Sequence, residues 1–276
     1  LMTASHPAVD GDWLVPDWPA PAGVRACFTG RGRSAADGAS APPWAHFNLG
    51  DHVGDAPVAV AANRARLGAA IGARPVFLNQ VHGTDALTLV PDSADGATAD
   101  AAVTRAPGLA CTVMVADCLP VLLTDRQGAL VAAAHAGWRG LAGGVLEQVL
   151  KHFQPLAPVQ EAPAAINIEA NEVLAWLGPC IGPTAFEVGP EVRAVFLSTD
   201  AGADRCFAAQ PGGKFLADLP ALARRRLAAL GVTRVYGNDG SLPWCTVSQP
   251  ARYHSYRRDE RAQGGSGRMA ACIWRV

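Results

Sequence analysis

The sequence predicts a single domain of the α/β or α+β class. The chain has 276 residues, 50% of them hydrophobic, which is enough to bury a substantial core. Short apolar runs and longer segments of helical periodicity intermix along the chain, and no composition break or repeat separates them. We expect residues 1–22, rich in Pro, Asp and Trp, to form an irregular arm and residues 23–276 to form the domain.

The first predicted element is a helix over residues 55–72. Asp55 is a candidate N-cap, and Gly72 can end the helix in the left-handed conformation. Val60 and Leu67 lie seven residues apart on one helical face, which we expect to be buried.

The rest of the chain predicts a sheet-rich middle followed by mixed elements. The middle contains short apolar runs, many with β-branched residues, and Gly, Pro or Asp interrupts each run. The predicted strands span residues 75–81, 86–90, 101–104, 111–116, 120–125, 129–137, 173–178, 233–237 and 268–276. Further helices are predicted over residues 140–153, 189–197 and 215–231.

Charge and cysteine content narrow the functional class. The chain has 23 basic and 24 acidic residues, so it lacks the positive surface expected for binding nucleic acid or an anionic membrane. Its 7 cysteines form no CxxC pair, which favours reduced thiols in a cytoplasmic protein. No export signal or membrane span is visible. The function classes that remain are chemistry on small molecules and contact with another protein.

Three side chains that can bind a metal each lie at the end of an apolar run. They are His82 in "NQVHGTD", Cys118 in "VADCLP" and His135 in "AAAHAGWRG". Their spacing is too long for a zinc finger, so they can meet only if three strand ends converge. Two imidazoles and one thiolate suit zinc, and a fourth position would remain open for water or substrate.

Other interpretations of the same residues stay open. Each of the three could be an ordinary core or surface residue. Cys118 could also be the nucleophile of a cysteine amidohydrolase, with His135 or His82 as its base. A multicopper site is disfavoured, because the chain has only 7 histidines and contains no His-x-His pair.

Several polar residues are candidates for substrate contacts. Arg139 follows the turn at Gly137 and could bind phosphate, or it could cap a neighbouring carbonyl group. Asn48 lies in "HFNLGDHVGD", where turn hydrogen bonds are the simpler explanation. Arg258 in "YHSYRRD" could hold a phosphate or lie on a solvated edge.

Two acidic residues are candidates for proton transfer. Asp117 directly precedes Cys118 and could orient a metal ligand or accept a proton. Glu187 lies in the Gly- and Pro-rich stretch "GPCIGPTAFEVGP" and is the second candidate.

Five ordered motifs carry a resemblance to a known family: "NQVHG", "ADCLPVLLTD", "AHAGWRGLAGGV", "GPCIGPTAFEVG" and "YHSYRRD". Together they resemble the laccase-domain family, also called the multicopper polyphenol oxidase or purine nucleoside phosphorylase family, from about residue 25 to the C-terminus. The "NR" at Asn63 and Arg64 is also similar to the family pattern, which adds Arg64 to the candidate substrate contacts. By contrast "FTGRGRSAADG" departs from that pattern, with Arg31 as the nearest arginine.

The resemblance implies a four-layer α/β/β/α sandwich and one zinc ion held by His82, Cys118 and His135. It implies phosphorolysis of adenosine, inosine, guanosine and methylthioadenosine, together with deamination of adenosine. The expected partners are therefore purine nucleosides and phosphate. For phosphate the candidates are Arg139 first, then Arg64 and Arg258.

Overall fold

A computed structural model describes residues 13–153 and 169–276 of the chain. The strands are β1 (Val24–Phe28), β2 (Arg74–Phe77), β3 (Ala86–Thr88), β4 (Ala101–Thr104), β5 (Leu109–Val115), β6 (Leu119–Asp125), β7 (Val131–Ala136), β8 (Val173–Leu177), β9 (Glu187–Val188), β10 (Phe207–Gln210), β11 (Lys214–Ala217), β12 (Arg234–Gly237) and β13 (Met269–Arg275). The α-helices are α1 (Pro57–Ile71), α2 (Trp138–Gly143), α3 (Val145–Lys151), α4 (Pro190–Leu197), α5 (Leu219–Ala229) and α6 (Arg261–Gln263).

The strands form two large mixed sheets and one small sheet. The 6-stranded sheet has the order β12-β8-β6-β7-β4-β3, and the 4-stranded sheet has the order β1-β13-β5-β2. The 3-stranded sheet, β10-β11-β9, is antiparallel throughout. In both large sheets antiparallel pairs predominate, and the parallel pairs lie at the edges.

Alternation along the strands shows how these sheets pack. On β5, Cys111 and Val113 face a core that also contains Leu122 of β6 and Ala133 of β7, so the two large sheets pack face to face. Met114, the residue after Val113 on β5, points to the opposite face of the sheet, where α1 packs.

Helices cover the outer faces of both large sheets. Leu67 of α1 is buried against the 4-stranded sheet. Leu146 of α3 and Leu222 of α5 are buried against the outer face of the 6-stranded sheet, with Val121 and Leu123 of β6. The order of layers is helix, sheet, sheet, helix, which confirms the predicted single-domain α/β/β/α fold.

The helix over residues 55–72 is present, with a corrected start. Its N-cap is Ala56 rather than Asp55. The carboxylate of Asp55 is engaged by the side-chain amide of Asn48 at 2.9 Å and by the backbone N–H of Ala56 at 2.8 Å, so it does not cap the first turn. Gly72 ends the helix in the left-handed conformation, with φ 63°, as predicted.

Two later helices differ from the prediction. The segment 140–153 is broken at Gly144, where φ is 103°, into α2 and α3. The segment 215–231 begins as strand, because Phe215 pairs with Val188 in the small sheet. Helix α5 starts only after Asp218, whose side chain accepts the N–H of Ala221 at 2.9 Å.

The part of the N-terminal arm that the structure describes, residues 13–22, packs on the 4-stranded sheet. Leu14 forms two backbone hydrogen bonds with Phe28, both of 2.8 Å. The ring of Trp13 lies 5.5 Å from that of Phe47. The remainder of the arm, residues 1–12, lies outside the described residues. In the described ranges no helix combines the length and the apolar character needed to cross a membrane.

Candidate metal centre

His82, Cys118 and His135 converge although they are far apart in the sequence. One nitrogen of each imidazole and the sulfur of Cys118 all lie within 4.8 Å of one another. The Sγ atom of Cys118 is 3.7 Å from Nε2 of His82, and the two imidazole rings are 4.8 Å apart between centroids. Within residues 13–153 and 169–276, this is the one group of three or more such side chains that could hold a metal ion.

Cys118 lies in the connection between the two large sheets. β5 belongs to the 4-stranded sheet and β6 to the 6-stranded sheet, so the chain crosses between them just before Leu119. The turn places Asp117 at φ 87°, in the left-handed region. Cys118 therefore lies beside the end of β7, where Pro120 pairs with His135.

The carboxylate of Asp117 holds this turn in place. It accepts hydrogen bonds from Thr246 Oγ1 at 2.5 Å, Ser255 Oγ at 3.0 Å and the backbone N–H of Arg257 at 2.6 Å. Burial raises the pKa of Asp117, and these three donors oppose that effect. The geometry ties the Cys118 turn to the segments around residues 246 and 255–257, and three donors already occupy the carboxylate that the sequence suggested as a proton carrier.

His82 and His135 both contact a residue that the sequence analysis did not single out, Asp100. Nδ1 of His135 lies 2.7 Å from Oδ1 of Asp100, which leaves Nε2 for a metal. The backbone N–H of His82, a residue with φ 60°, donates to the same oxygen at 2.9 Å. Burial raises the pKa of Asp100, but hydrogen bonds from His135 and Gly83 lower it below its usual value.

Glycines of α2 allow the chain to approach the ligands closely. A Cβ atom at Gly137 would lie 2.9 Å from Sγ of Cys118 and 3.1 Å from Cδ2 of His82. A Cβ at Gly140 would lie 2.8 Å from the carbonyl oxygen of Gly83. The turn after His135 therefore needs small residues, because the helix packs directly on the His82 loop.

The electrostatics of the cluster favour a thiolate. Burial alone would raise the pKa of Cys118, but the adjacent imidazoles of His135 and His82 lower it to about 6. Burial would lower the pKa of His135, but the charges of Cys118 and Asp100 raise it to about 9. The thiolate is the form of cysteine that binds metals.

These residues fit a metal ion with an open coordination position. The donor set of two imidazoles and one thiolate suits zinc and other borderline or soft ions. His135 is buried, Cys118 is partly exposed and His82 is exposed, so one side of the cluster is open to solvent. The cluster therefore resembles a catalytic metal site rather than a closed structural one.

The candidate phosphate contacts fall into different environments. Arg139 is exposed, and its guanidinium lies 4.3 Å from the ring centroid of Trp138. Arg64 donates to the carbonyl oxygen of Leu49 at 2.9 Å and pairs with Asp51 at 3.2 Å.

Arg258 is fully engaged inside the protein. Its guanidinium makes five hydrogen bonds, to the carbonyl oxygens of Thr246, Val247 and Tyr253 and to both carboxylate oxygens of Asp259. All five N–H groups of an arginine are thereby used. In this conformation Arg258 stabilises its own loop and has no donor left for phosphate.

Asn48 and Glu187 also have partners within the protein. The amide of Asn48 makes two bonds with Gly50, one with Asp55 and one with the backbone N–H of Arg268. Glu187 is exposed and pairs with Lys214 at 2.6 Å, and its described contacts do not reach the metal cluster. Asn48 thus ties its own turn to the segment just before β13, whereas Glu187 lies on the small sheet.

Arg268 is a second residue that the sequence analysis missed. Burial lowers its pKa, and the charges of Cys118 and Asp117 act in the opposite direction. Its Nη1 donates to the carbonyl oxygens of Ser266 and Gly267. Its position just before β13 gave no sequence signal, and the structure ties its backbone N–H to Oδ1 of Asn48 at 2.8 Å.

Comparison with known proteins relates this chain to a known family. The family model described as multi-copper polyphenol oxidoreductase laccase matches residues 25–276. The chain belongs to this family. Its relatives include purine nucleoside phosphorylases from Pseudomonas aeruginosa and from Escherichia coli K12, each 47% identical over 95% of this chain and 98% of the relative. A purine nucleoside phosphorylase from Haemophilus influenzae is 42% identical over 94% of this chain and 97% of the relative.

Solved structures share the fold of this chain. A Neisseria meningitidis protein has a TM-score of 0.81 and 42% identity, covering 96% of this chain and 99% of that one. YlmD from Geobacillus stearothermophilus has a TM-score of 0.76 and 29% identity, covering 92% of both chains. The fold and the family are thereby established for this chain.

Proposed function

We propose that this chain is a zinc-dependent purine nucleoside phosphorylase. The observation that carries the proposal is the open cluster of His82, Cys118 and His135 in a chain 47% identical to enzymes named purine nucleoside phosphorylase. The substrates would be adenosine, inosine, guanosine and methylthioadenosine, and deamination of adenosine would be a second activity. We assign catalysis to residues 23–276, with residues 1–22 as an N-terminal arm.

Zinc is the proposed metal, held by His82, Cys118 and His135. In a site with three protein ligands it supplies a Lewis acid with an open position for water or substrate. Copper is disfavoured, despite the family description, because the histidines needed for a multicopper centre do not gather here among the described residues.

Phosphorolysis requires that phosphate attack ribose C1′ while the purine base leaves. The attacking phosphate carries negative charge, which arginine neutralises well because its guanidinium can donate two parallel hydrogen bonds. We propose Arg139 and Arg268 for this role. No described residue accepts a hydrogen bond from the guanidinium of Arg139, and within the described part of the chain the guanidinium of Arg268 donates only through Nη1. Arg64 is the next candidate, although Leu49 and Asp51 already engage it.

The purine base needs an apolar surface and a proton donor. Tyr256 is exposed, and its ring centroid lies 5.8 Å from the guanidinium of Arg268, so it could stack on a base next to the phosphate. We keep Asp117 as the proposed proton carrier for deamination. To act in this way, its carboxylate must release one of its three hydrogen-bond donors and contact the substrate or a water molecule instead. Its positioning of the Cys118 turn is the role that the geometry supports.

The proposed site of action is the cytoplasm. All 7 cysteines are free thiols in the structure. Free thiols are typical of a reducing compartment.

The experiment that tests the proposal is adenosine turnover by purified protein, with and without phosphate, with metal content measured on the same sample. We expect adenine and ribose 1-phosphate to form only when phosphate is present. Inosine, the product of deamination, should form even without phosphate, and the protein should contain about one zinc ion per chain. Cys118→Ala should lose both zinc and turnover, whereas Cys206→Ala, a buried cysteine outside the cluster, should keep both. An active Cys118→Ala enzyme without zinc would overturn the proposal.

One structural relationship favours a second candidate, a cysteine amidohydrolase. Cys118, His135 and Asp100 form a chain in which the carboxylate orients the imidazole beside the thiol, as in a catalytic triad. This function predicts that the protein stays active after its metal has been removed. It also predicts that a thiol alkylator then inactivates the metal-free protein. If the metal-free protein is inactive on every amide substrate tested, this candidate fails.

A further inference from the structure

Asp100 bridges two of the three candidate metal ligands. We propose that its carboxylate acts as the positioning residue of the centre, because it sets the ring nitrogen that His135 presents and also the place of the His82 loop. This inference rests on the metal site proposed above, but not on the identity of the substrate.

The carboxylate of Asp100 is fully used as an acceptor. Oδ1 accepts from the backbone N–H of His82 at 2.9 Å and lies 2.7 Å from Nδ1 of His135. Oδ2 accepts from the backbone N–H of Gly83 at 2.6 Å and of Val81 at 3.1 Å. An ionised carboxylate offers about four acceptor sites, so none remains for a metal or for solvent. Asp100 therefore supports ligands and does not itself serve as one.

The contact to His135 determines which nitrogen can bind a metal. A neutral imidazole carries one proton, and the carboxylate of Asp100 holds that proton on Nδ1. Nε2 is then the lone-pair nitrogen directed at the cluster. The backbone reinforces the geometry, because the N–H of His135 donates to the carbonyl oxygen of Asp100 at 2.7 Å.

The contacts to residues 81–83 position the other histidine. Three successive backbone N–H groups converge on one carboxylate, and His82 at their centre has a φ of 60°. Left-handed backbone is uncommon for a residue other than glycine, so the surrounding structure must hold it. Asp100 supplies that hold through these three hydrogen bonds. It is itself fixed because it directly precedes β4, whose first residue, Ala101, pairs with Ala134 of β7.

The substitution that isolates this role is Asp100→Asn. The asparagine keeps the shape and one carbonyl oxygen, but its NH₂ group is a donor and would face the N–H groups around it. If that NH₂ group faces His135, it favours Nδ1 as acceptor and moves the imidazole proton to Nε2, where it blocks the metal. Loss of a group that orients a metal ligand typically lowers metal affinity by about 10- to 100-fold.

The matched control is Asp125→Asn. Asp125 is also a buried carboxylate at a strand end, and it accepts three backbone N–H groups, from Gln127, Ala129 and Leu130. It touches no candidate metal ligand in the described structure. Asp125→Asn should therefore lower the thermal midpoint without changing metal affinity.

The test is titration of metal-free protein with Zn²⁺ against a chromophoric chelator, for wild type and both variants. We expect the Kd of Asp100→Asn to rise about 10- to 100-fold, and that of Asp125→Asn to stay within about 2-fold of wild type. An unchanged Kd for Asp100→Asn, or an equal rise in both variants, would overturn the inference. If wild-type protein itself binds no zinc, the proposed metal site fails instead.

A second measurement does not depend on the folding of a variant. In wild-type protein loaded with ¹¹³Cd²⁺ and labelled with ¹⁵N at histidine, the inference predicts cadmium coupling to Nε2 of His135 and a proton on Nδ1. Cadmium coupling to Nδ1 of His135 would overturn it.

Discussion

Gly137 lies directly against the thiol of Cys118, because a Cβ atom at residue 137 would be only 2.9 Å from Sγ. The backbone of Gly137 has φ −59° and ψ 159°, which any residue can adopt. The glycine is therefore required by the space around the candidate metal centre and not by the backbone conformation.

The first prediction follows from this contact. Gly137→Ala should displace Cys118 or His82 by a few tenths of an ångström and weaken zinc binding, while the free energy of unfolding changes little. Chelator competition and urea denaturation measure the two quantities. The control is Gly23→Ala, since a Cβ there meets no atom within 4 Å. Zinc affinity equal to wild type in Gly137→Ala would contradict the prediction.

The second prediction concerns Arg268 and phosphate. Arg268→Gln should raise the KM for phosphate by about 10- to 100-fold, since a hydrogen bond to a charged group contributes about 1.5–3 kcal/mol. The KM for nucleoside and the zinc content should change much less. Steady-state kinetics with each substrate varied in turn provide the measurement.

The control for Arg268 is Arg126→Gln, which removes an exposed arginine paired with Glu172. Its KM for phosphate should equal that of wild type. If Arg139→Gln raises the KM for phosphate and Arg268→Gln does not, the phosphate contact belongs to the start of α2 instead.

The third prediction concerns the buried carboxylate of Asp117. In Asp117→Asn the amide NH₂ can turn toward the hydroxyl of Thr246 or Ser255, whose oxygen can accept it, but the hydrogen bonds that remain lose the charge of the carboxylate. A hydrogen bond to a charged group contributes about 1.5–3 kcal/mol and a neutral one about 0.5–1.5 kcal/mol, so the free energy of unfolding should fall by about 1–2 kcal/mol. Urea denaturation measures it. The exposed control Asp239→Asn should change stability by less than about 0.5 kcal/mol.

The fourth prediction is a pH dependence of stability that arises from His254. This imidazole is fully buried, and neither ring nitrogen has a hydrogen-bond partner among residues 13–153 and 169–276. Burial, followed by the charges of Arg31, Arg268, Arg258 and His46, lowers its pKa well below the usual value. The folded protein therefore keeps His254 neutral, whereas the unfolded chain binds a proton below about pH 6.5.

It follows that His254 contributes a loss of stability as the pH falls from about 6.5 toward the lower pKa of the folded state, with a slope of at most about 1.4 kcal/mol per pH unit. His254→Phe removes this proton and keeps a flat ring. Urea denaturation between about pH 5 and 8 should show a shallower decline for the variant than for wild type. Equal slopes would mean that His254 does not titrate differently in the two states.

Much of the fold was predictable because its signals are local. The runs that became β4 and β6 match their predicted bounds within one residue, since each is a short apolar stretch between breakers. Gly72 ended α1 as predicted, because left-handed backbone at a helix end favours glycine.

The errors in the predicted secondary structure arose where strand partners distant in the sequence determine the conformation. Lys214–Ala217 carries a helix-like pattern but forms β11, because β9 and β10 offer it backbone partners. β1 was not predicted at all, although all five of its residues pair with β13 at the other end of the chain. Edge pairing of this kind leaves no periodic signal within the strand itself.

By itself, the sequence determined a single domain of mixed helices and strands, the family resemblance and three side chains that could bind a metal, because these depend on residue chemistry and order along the chain. Only the tertiary structure decided that the three meet within 4.8 Å and that Asp100 holds two of them. It also decided that all the donors of Arg258 are occupied, whereas among the described residues the guanidinium of Arg268 donates hydrogen bonds only through Nη1. Hydrogen bonds between segments that are distant in the sequence set these relationships, and a side chain's identity does not reveal which donors and acceptors folding has already used.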